Sequence, residues 1–113
     1  MILEWLDNQD LTGKRVLDYG CGSGILAIAA LLLGANQCVA VDIDPQALTA
    51  TRENAILNGV LDRLEIGLGE EFEMDQYDVV MANILAGPLL DLADLLTACL
   101  RPNADLVLSG LRE

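Results

Sequence analysis

Residues 16–24, VLDYGCGSG, restrict the fold of this chain more than any other stretch. A short apolar run leads into three glycines at alternate positions, and an apolar helical pattern begins directly after them, with Ser23 as its predicted N-cap. Glycines adopt positive φ and let a ligand lie against bare N–H groups, and the start of a helix adds further unpaired N–H groups there. The stretch therefore predicts a strand, a ligand-binding turn and a helix in succession.

The glycine spacing separates two kinds of nucleotide site. A dinucleotide fingerprint is Gly-x-Gly-x-x-Gly, whereas here Gly24 comes one residue early and Ile25 occupies the expected place. Asp18 stands two residues before Gly20. This pattern resembles the first motif of class I S-adenosylmethionine-dependent methyltransferases, in which the loop passes the methionine portion of the cofactor and the acid approaches its ammonium group. An ordinary strand-to-helix turn is the alternative.

Length and composition indicate one cytoplasmic domain. The chain has 113 residues, of which 53% are hydrophobic, and its longest apolar run, residues 25–35, is well short of the roughly 20 residues that a bilayer requires. No secretory signal is expected, because Met1 is followed by Glu4 and Asp7 rather than by a basic region and a cleavage site. Three widely spaced cysteines predict buried thiols rather than disulfides or a zinc site. Histidine, the commonest general base, is absent.

The formal net charge of −12 restricts the partners. Direct binding of nucleic acid is not expected, because phosphate contacts need a basic stripe. A basic protein substrate is favoured electrostatically, although an acidic surface also serves solubility alone.

Strand and helix patterns alternate along the chain. This alternation predicts an α/β fold, a Rossmann-like doubly wound parallel sheet with strand order 3-2-1-4-5. The order reverses between the first and fourth strands, where such folds bind ligands. The predicted strands cover residues 15–19, 37–41, 63–68, 77–82 and 104–109. The predicted helices cover residues 1–9, as the last turns of an amphipathic helix, and residues 25–33, 45–57 and 89–100.

Polar residues stand at the carboxyl ends of three predicted strands. Asp42 follows the second strand about 20 residues beyond the loop, where an acid can accept hydrogen bonds from two ribose hydroxyls. A helix N-cap is its alternative role, but Asp44, followed by Pro45, already fills that position. Asn83 follows the fourth strand, where its amide oxygen could orient a nucleophilic amine, or it could be a turn asparagine. These residues and Asp18 are expected to converge on one crevice.

An acidic loop follows the third predicted strand. Glu70 or Glu71 could accept a hydrogen bond from an adenine amino group. A solvated acidic loop explains the same residues equally well.

Several stretches together resemble the PrmA family: VLDYGCGSGILAIAA, VDIDPQAL, TRENAILNGV, DVVMANILAGPL and LVLSG. This resemblance implies an enzyme that uses S-adenosyl-L-methionine to methylate lysine and N-terminal amino groups of large-subunit ribosomal protein eleven. Related enzymes that methylate nucleic acids or glutamine carry Asn/Asp-Pro-Pro-Tyr where this chain has Asn-Ile-Leu-Ala. By resemblance, the cofactor-site positions are Asp18, Gly20, Gly22, Asp42 and Asn83, with Asn83 also near the acceptor; no metal is implied.

The resemblance also implies that parts of the family's architecture are missing. Residues 1–113 are expected to be a single truncated catalytic core, without the N-terminal substrate domain and the last two strands. The exposed edge of the fifth strand is then expected to pair with another chain. A non-catalytic cofactor-binding fragment, a methyltransferase for another amine, and a nicotinamide-binding domain stay open as alternatives, the last disfavoured by the glycine spacing. Asn103 and Ala104 stand where the family tends to have two glycines.

Overall fold

The computed structural model describes residues 6, 8–68, 76–83 and 100–109. Within them, strands and helices alternate as the sequence predicts. The elements are β1 (Arg15–Tyr19), α1 (Ile25–Leu32), β2 (Gln37–Asp42), α2 (Pro45–Leu57), a 3-10 turn (Leu61–Arg63), β3 (Leu64–Leu68), β4 (Tyr77–Asn83) and β5 (Leu100–Ser109).

All five strands lie parallel in one sheet of order β3-β2-β1-β4-β5. The predicted doubly wound α/β fold and its strand order are confirmed. At the carboxyl end of β1, Tyr19 lies opposite Val41 of β2 on one side and Ala82 of β4 on the other. The carboxyl ends of three neighbouring strands therefore meet at the reversal of strand order, where ligands bind in such sheets.

Strand β5 begins earlier than predicted. It starts at Leu100, which pairs with Tyr77, rather than at Ala104, and a register irregularity follows between Tyr77 and Val79. Pro102 lies within this strand, which is the last one of the described sheet. A strand at a sheet edge tolerates a proline because one side of its backbone needs no ladder partner. Leu100 therefore does not end a helix. The rest of that predicted helix, and residues 1–5 and 7 of the first one, lie outside the described residues.

Apolar side chains cover both faces of the sheet. The centres of β1 and β2 are continuously buried, as expected for parallel strands that pack on both faces. One core cluster joins α1 and α2 to residues such as Val16, Cys38 and Met81, and a second, on the opposite face, contains Leu17, Val41 and Val80. Since alternate residues of a strand share a face, Asp18 lies on the helix-covered face with Val16.

The start of α2 and the end of α1 lie where local sequence rules place them. Asp44 caps α2 by accepting a hydrogen bond from the Gln46 N–H at 2.9 Å, with Pro45 at the first position. Beyond α1, Gly34 has φ +112° and its N–H donates to the Leu31 carbonyl. This arrangement satisfies carbonyls that the helix end leaves unpaired. No helix in the part of the chain described here is long and apolar enough to cross a membrane.

A single guanidinium joins the end of α1 to the 3-10 turn. Arg63 donates from Nη1 to the Ala35 carbonyl at 2.6 Å and from Nη2 to the Leu31 carbonyl at 3.2 Å. A cation at a helix C-terminus also interacts favourably with the helix dipole.

Replacement Arg63→Ala is expected to lower the free energy of unfolding by about 1–3 kcal/mol, because two charge-assisted hydrogen bonds are lost. The measurement is the urea midpoint of the 113-residue chain. Arg52→Ala, which removes an exposed arginine from α2, is the control. Equal midpoints for the two variants would contradict a role for Arg63 in holding α1.

Candidate functional site

The glycine turn after β1 has the backbone conformation that its sequence predicts. Gly20, Gly22 and Gly24 have φ values of +83°, +57° and +87°. A Cβ on Gly24 would lie 2.8 Å from Cγ2 of Thr51, so both conformation and packing require glycine there. Gly22 has open space around it, which leaves room beside the turn.

Helix α1 has a different N-cap from the one predicted. Its N-cap is Gly24, in the left-handed region, and no side chain caps the helix. The predicted start at Ile25 is confirmed, but the prediction of Ser23 as N-cap is wrong, because Gly24 lies between Ser23 and the first helical residue.

Most N–H groups of the turn are occupied within the chain. The N–H groups of Gly20 and Cys21 both donate to the Val41 carbonyl, at 2.7 and 3.0 Å, and the N–H of Gly24 donates to the Cys21 carbonyl at 2.9 Å. The N–H of Gly22 donates to Oδ2 of Asp42 at 2.9 Å. The expectation of bare N–H groups is therefore wrong for these residues, because the end of β2 accepts three of these N–H groups and the Cys21 carbonyl accepts the fourth.

Asp42 lies on the same rim of the sheet as the turn. Its Oδ2 accepts the Gly22 N–H and its Oδ1 accepts the Asp44 N–H at 3.0 Å. The two hydrogen bonds hold the carboxylate in one orientation. Each oxygen of an ionised carboxylate can accept a further hydrogen bond, so both remain able to accept from a ligand.

Asp18 is the most unusual group near the turn. Its side chain is 0% exposed, and neither carboxylate oxygen has a hydrogen-bond partner among the residues that the structure describes. Burial raises the pKa of Asp18 to about 7, the nearby Asp42 carboxylate adds to the rise, and the Ala27 backbone N–H at the start of α1 opposes it. That N–H is near enough to affect the pKa but makes no hydrogen bond of ordinary geometry to Asp18. A buried polar group without a partner is costly, so this carboxyl is poised to gain from a partner.

The thiols nearby are inert. Burial raises the pKa of Cys21 to about 11 and that of Cys38 well above its ordinary value. Since the thiolate is the reactive form, both behave as the buried thiols that the sequence predicts. Cys99 lies outside the described residues.

Helix α2 supplies two contacts to the turn that the sequence analysis missed. Thr51 Oγ1 donates to the Gly22 carbonyl at 3.0 Å, and Asn54 Nδ2 donates to the Ser23 carbonyl at 3.0 Å. The signal available in the sequence was their spacing, because residues three apart share one helix face. That spacing alone does not say which face meets the turn.

The backbone of Asn83 ends β4 at the same edge of the sheet. It follows Ala82, which pairs with Tyr19, the residue before Gly20. The strand register thus brings Asp18, Asp42, the glycine turn and the Asn83 backbone to neighbouring strand ends. Glu70 and Glu71 lie outside the described residues.

Comparison with known proteins identifies the family. The family model described as "Ribosomal protein L11 methyltransferase (PrmA)" matches residues 1–113. The chain belongs to this family. A ribosomal protein L11 methyltransferase of Haemophilus influenzae (strain PittEE) is 57% identical over 114 residues, which cover 100% of this chain and 39% of that protein. The resemblance seen in the sequence is confirmed, and the chain spans about two fifths of the length of such relatives.

Solved structures support the same assignment. A ribosomal protein L11 methylase from Lactobacillus delbrueckii subsp. bulgaricus superposes with a TM-score of 0.83 and is 36% identical, covering 97% of this chain and 58% of that one. An RNA methyltransferase from Salinibacter ruber, solved in complex with S-adenosyl-L-homocysteine, has a TM-score of 0.74 and 27% identity, covering 88% and 65%. This chain therefore has a methyltransferase fold.

The burial of Asp18 generates a pH-dependent stability. With a pKa of about 7 in the folded chain against an ordinary value of 3.8, Asp18 keeps a proton between these pH values that the unfolded chain has released. Stability is therefore expected to fall as pH rises toward 7 and to level off above it, with a loss of about 2.5 kcal/mol between pH 5 and 8.

Urea unfolding of the native chain and of Asp18→Asn at pH 5, 6, 7 and 8 measures this contribution, because the variant lacks the titrating group. As pH rises, the free energy of unfolding of the native chain is expected to fall relative to that of Asp18→Asn. Asp62→Asn, which removes an exposed carboxylate, is the control. Parallel profiles for the native chain and Asp18→Asn would contradict the raised pKa.

Proposed function

We propose that this chain is the S-adenosyl-L-methionine-binding core of an N-methyltransferase whose substrates are lysine and N-terminal amino groups of a ribosomal protein. The relatives are ribosomal protein L11 methyltransferases by name, which supports this substrate. The S-adenosyl-L-homocysteine in the Salinibacter ruber structure supports the cofactor. A ribosomal substrate also favours a cytoplasmic location.

The polar groups of the turn favour a cationic nucleoside over a dinucleotide. A pyrophosphate needs free N–H donors, but those of Gly20, Cys21, Gly22 and Gly24 already donate within the chain. Beside the turn lies the Asp42 carboxylate, and beneath it lies the carboxyl of Asp18, with no partner. S-adenosyl-L-methionine carries a sulfonium and an ammonium group, so it suits acidic surroundings. The proposal rests on this combination, in which the N–H groups of the turn are occupied and two acids lie next to it.

Each site residue then has a defined role. Asp42, held by the N–H groups of Gly22 and Asp44, accepts the ribose hydroxyls with the remaining capacity of its two oxygens. Gly20 and Gly22 allow close approach of the ligand to the backbone. Asp18 places negative charge under the turn, and a cationic ligand group favours its ionised form.

Asn83 is assigned to the acceptor side of the site. The cofactor supplies a methyl group on a sulfonium, which is already an activated leaving group, so the protein's main task is alignment. Asn83, at the end of β4, accepts a hydrogen bond from the acceptor amine and orients its lone pair. The amine must be neutral to react, and its ordinary pKa of about 10.4 has to be lowered, for example by desolvation in the site. The net charge of −12 attracts a basic protein segment.

Binding calorimetry of the 113-residue chain tests the cofactor assignment. S-adenosyl-L-methionine and S-adenosyl-L-homocysteine are expected to bind, and NAD is not. Asp42→Asn is expected to weaken binding about tenfold or more, because charge and one acceptor oxygen are lost. Asp44→Asn is the matched control, since asparagine also caps helices well. Binding of NAD alone, or equal affinity for both variants, would overturn the assignment.

A methyl-transfer assay on ribosomal protein L11 tests the acceptor assignment. Asn83→Ala is expected to lower kcat at least tenfold with little change in cofactor Kd, because alignment rather than affinity is lost. Asn58→Ala, at the exposed end of α2, is the control. The chain spans only part of its relatives' length, so cofactor binding without transfer would support the alternative of a non-catalytic binding fragment.

A further inference from the structure

Side chains on one face of α2 donate hydrogen bonds to carbonyl groups of the glycine turn. The Thr51 hydroxyl donates to the Gly22 carbonyl and the Asn54 amide donates to the Ser23 carbonyl, both at 3.0 Å. Thr51 is 0% exposed, although threonine is a polar residue in the middle of a helix. A buried hydroxyl needs a partner, and the turn supplies it.

The peptide groups of Gly22 are held from both sides. Its N–H donates to Asp42 Oδ2 at 2.9 Å and its carbonyl accepts from Thr51. Thr51 is thus linked to the Asp42 carboxylate through a single residue. A change in the orientation of Gly22 would remove one of the two hydrogen bonds that hold Asp42.

The hydroxyl and the methyl group of Thr51 perform separate tasks. The hydroxyl has one proton, which it gives to Gly22, so Oγ1 can act only as an acceptor toward the Cys21 thiol at 3.4 Å. The same thiol also lies within donor distance of the Gly22 carbonyl, at 4.0 Å. The thiol keeps its proton at neutral pH, since burial raises the pKa of Cys21 to about 11. The methyl group fills the space above Gly24 that a Cβ would otherwise occupy.

We propose that Thr51 is a positioning residue that, together with Asn54, sets the orientation of Gly22 and through it that of the Asp42 carboxylate. This inference rests on the proposed function, in which the turn and Asp42 bind S-adenosyl-L-methionine. Neither residue contacts the ligand in this scheme; both act through the turn.

Two substitutions separate the tasks of Thr51. Thr51→Val keeps the shape and the methyl group and removes the hydroxyl. Thr51→Ser keeps the hydroxyl and removes the methyl group. Thr49→Val is the matched control, because Thr49 lies on the exposed side of the same helix, where its hydroxyl donates to the Pro45 carbonyl at 3.3 Å.

The first readout is the Kd of S-adenosyl-L-homocysteine by calorimetry. Thr51→Val is expected to weaken binding about three- to tenfold, the equivalent of one hydrogen bond, and Thr51→Ser to restore most of the native affinity. Thr49→Val is expected to bind as the native chain does. Asn54→Ala is also expected to weaken binding. If Thr51→Val does not fold, Asn54→Ala is used as the test variant.

The second readout needs no ligand and is amide hydrogen exchange. In Thr51→Val, the Gly22 amide is expected to exchange several-fold faster, while the amides of Val39 and Ala40 in β2 keep their native rates. A general loss of stability would instead speed exchange in the strand as well as in the turn.

The outcomes distinguish the two proposals. If the native chain does not bind S-adenosyl-L-homocysteine, the proposed function fails, and the exchange of Gly22 still decides whether Thr51 holds the turn. If the native chain binds and Thr51→Val has the same affinity, the positioning role is overturned. Faster exchange in the turn and the strand alike would also overturn it, because Thr51 would then serve stability alone.

Discussion

The hydrogen bond from the Gly22 N–H to the Asp42 carboxylate joins the two halves of the candidate site. One half is the turn after β1 and the other is the end of β2, and the parallel register that places Tyr19 opposite Val41 brings them together. Because the Val41 carbonyl also accepts two N–H groups of the turn, the end of β2 determines the shape of the turn as well as the position of its acid. The site is therefore a property of the strand pair rather than of the glycine motif alone.

Asp18 lowers the stability of the fold but supplies an acidic group to the site. Its carboxyl is buried on the helix-covered face of the sheet, and within the described part of the chain both oxygens lack a hydrogen-bond partner. An apolar residue would pack there at lower cost. Strained or unsatisfied groups of this kind are common where a structure serves ligand binding, and the nearby Asp42 adds to the raised pKa. The acid under the turn and the acid beside it together make the site acidic without free N–H groups to bind phosphate.

The strands and the helices contribute differently to the site. Strands β1, β2 and β4 bring the acids and the backbone of Asn83 to one edge of the sheet. Helix α2 packs against the turn from the side, where Thr51 and Asn54 bind its carbonyl groups. Arg63 in turn anchors the far end of α1. The position of the turn therefore depends on contacts from elements well beyond it in sequence.

The sequence by itself determined the order of the elements, the parallel sheet and the rim on which Asp42 lies. Those features follow from local rules: apolar runs, the positive φ of glycine, and the Asp44 and Pro45 pair that starts α2. Only the tertiary structure decided that the N–H groups of the turn are occupied and that Gly24 rather than Ser23 is the N-cap of α1. It also decided that β5 starts at Leu100 and that Thr51 binds the Gly22 carbonyl. The physical reason is distance along the chain: Thr51 and Gly22 are 29 residues apart, and Tyr77 and Leu100 pair across a similar gap. Local propensity carries no information about which of these groups come into contact, because that depends on how helices pack on the finished sheet.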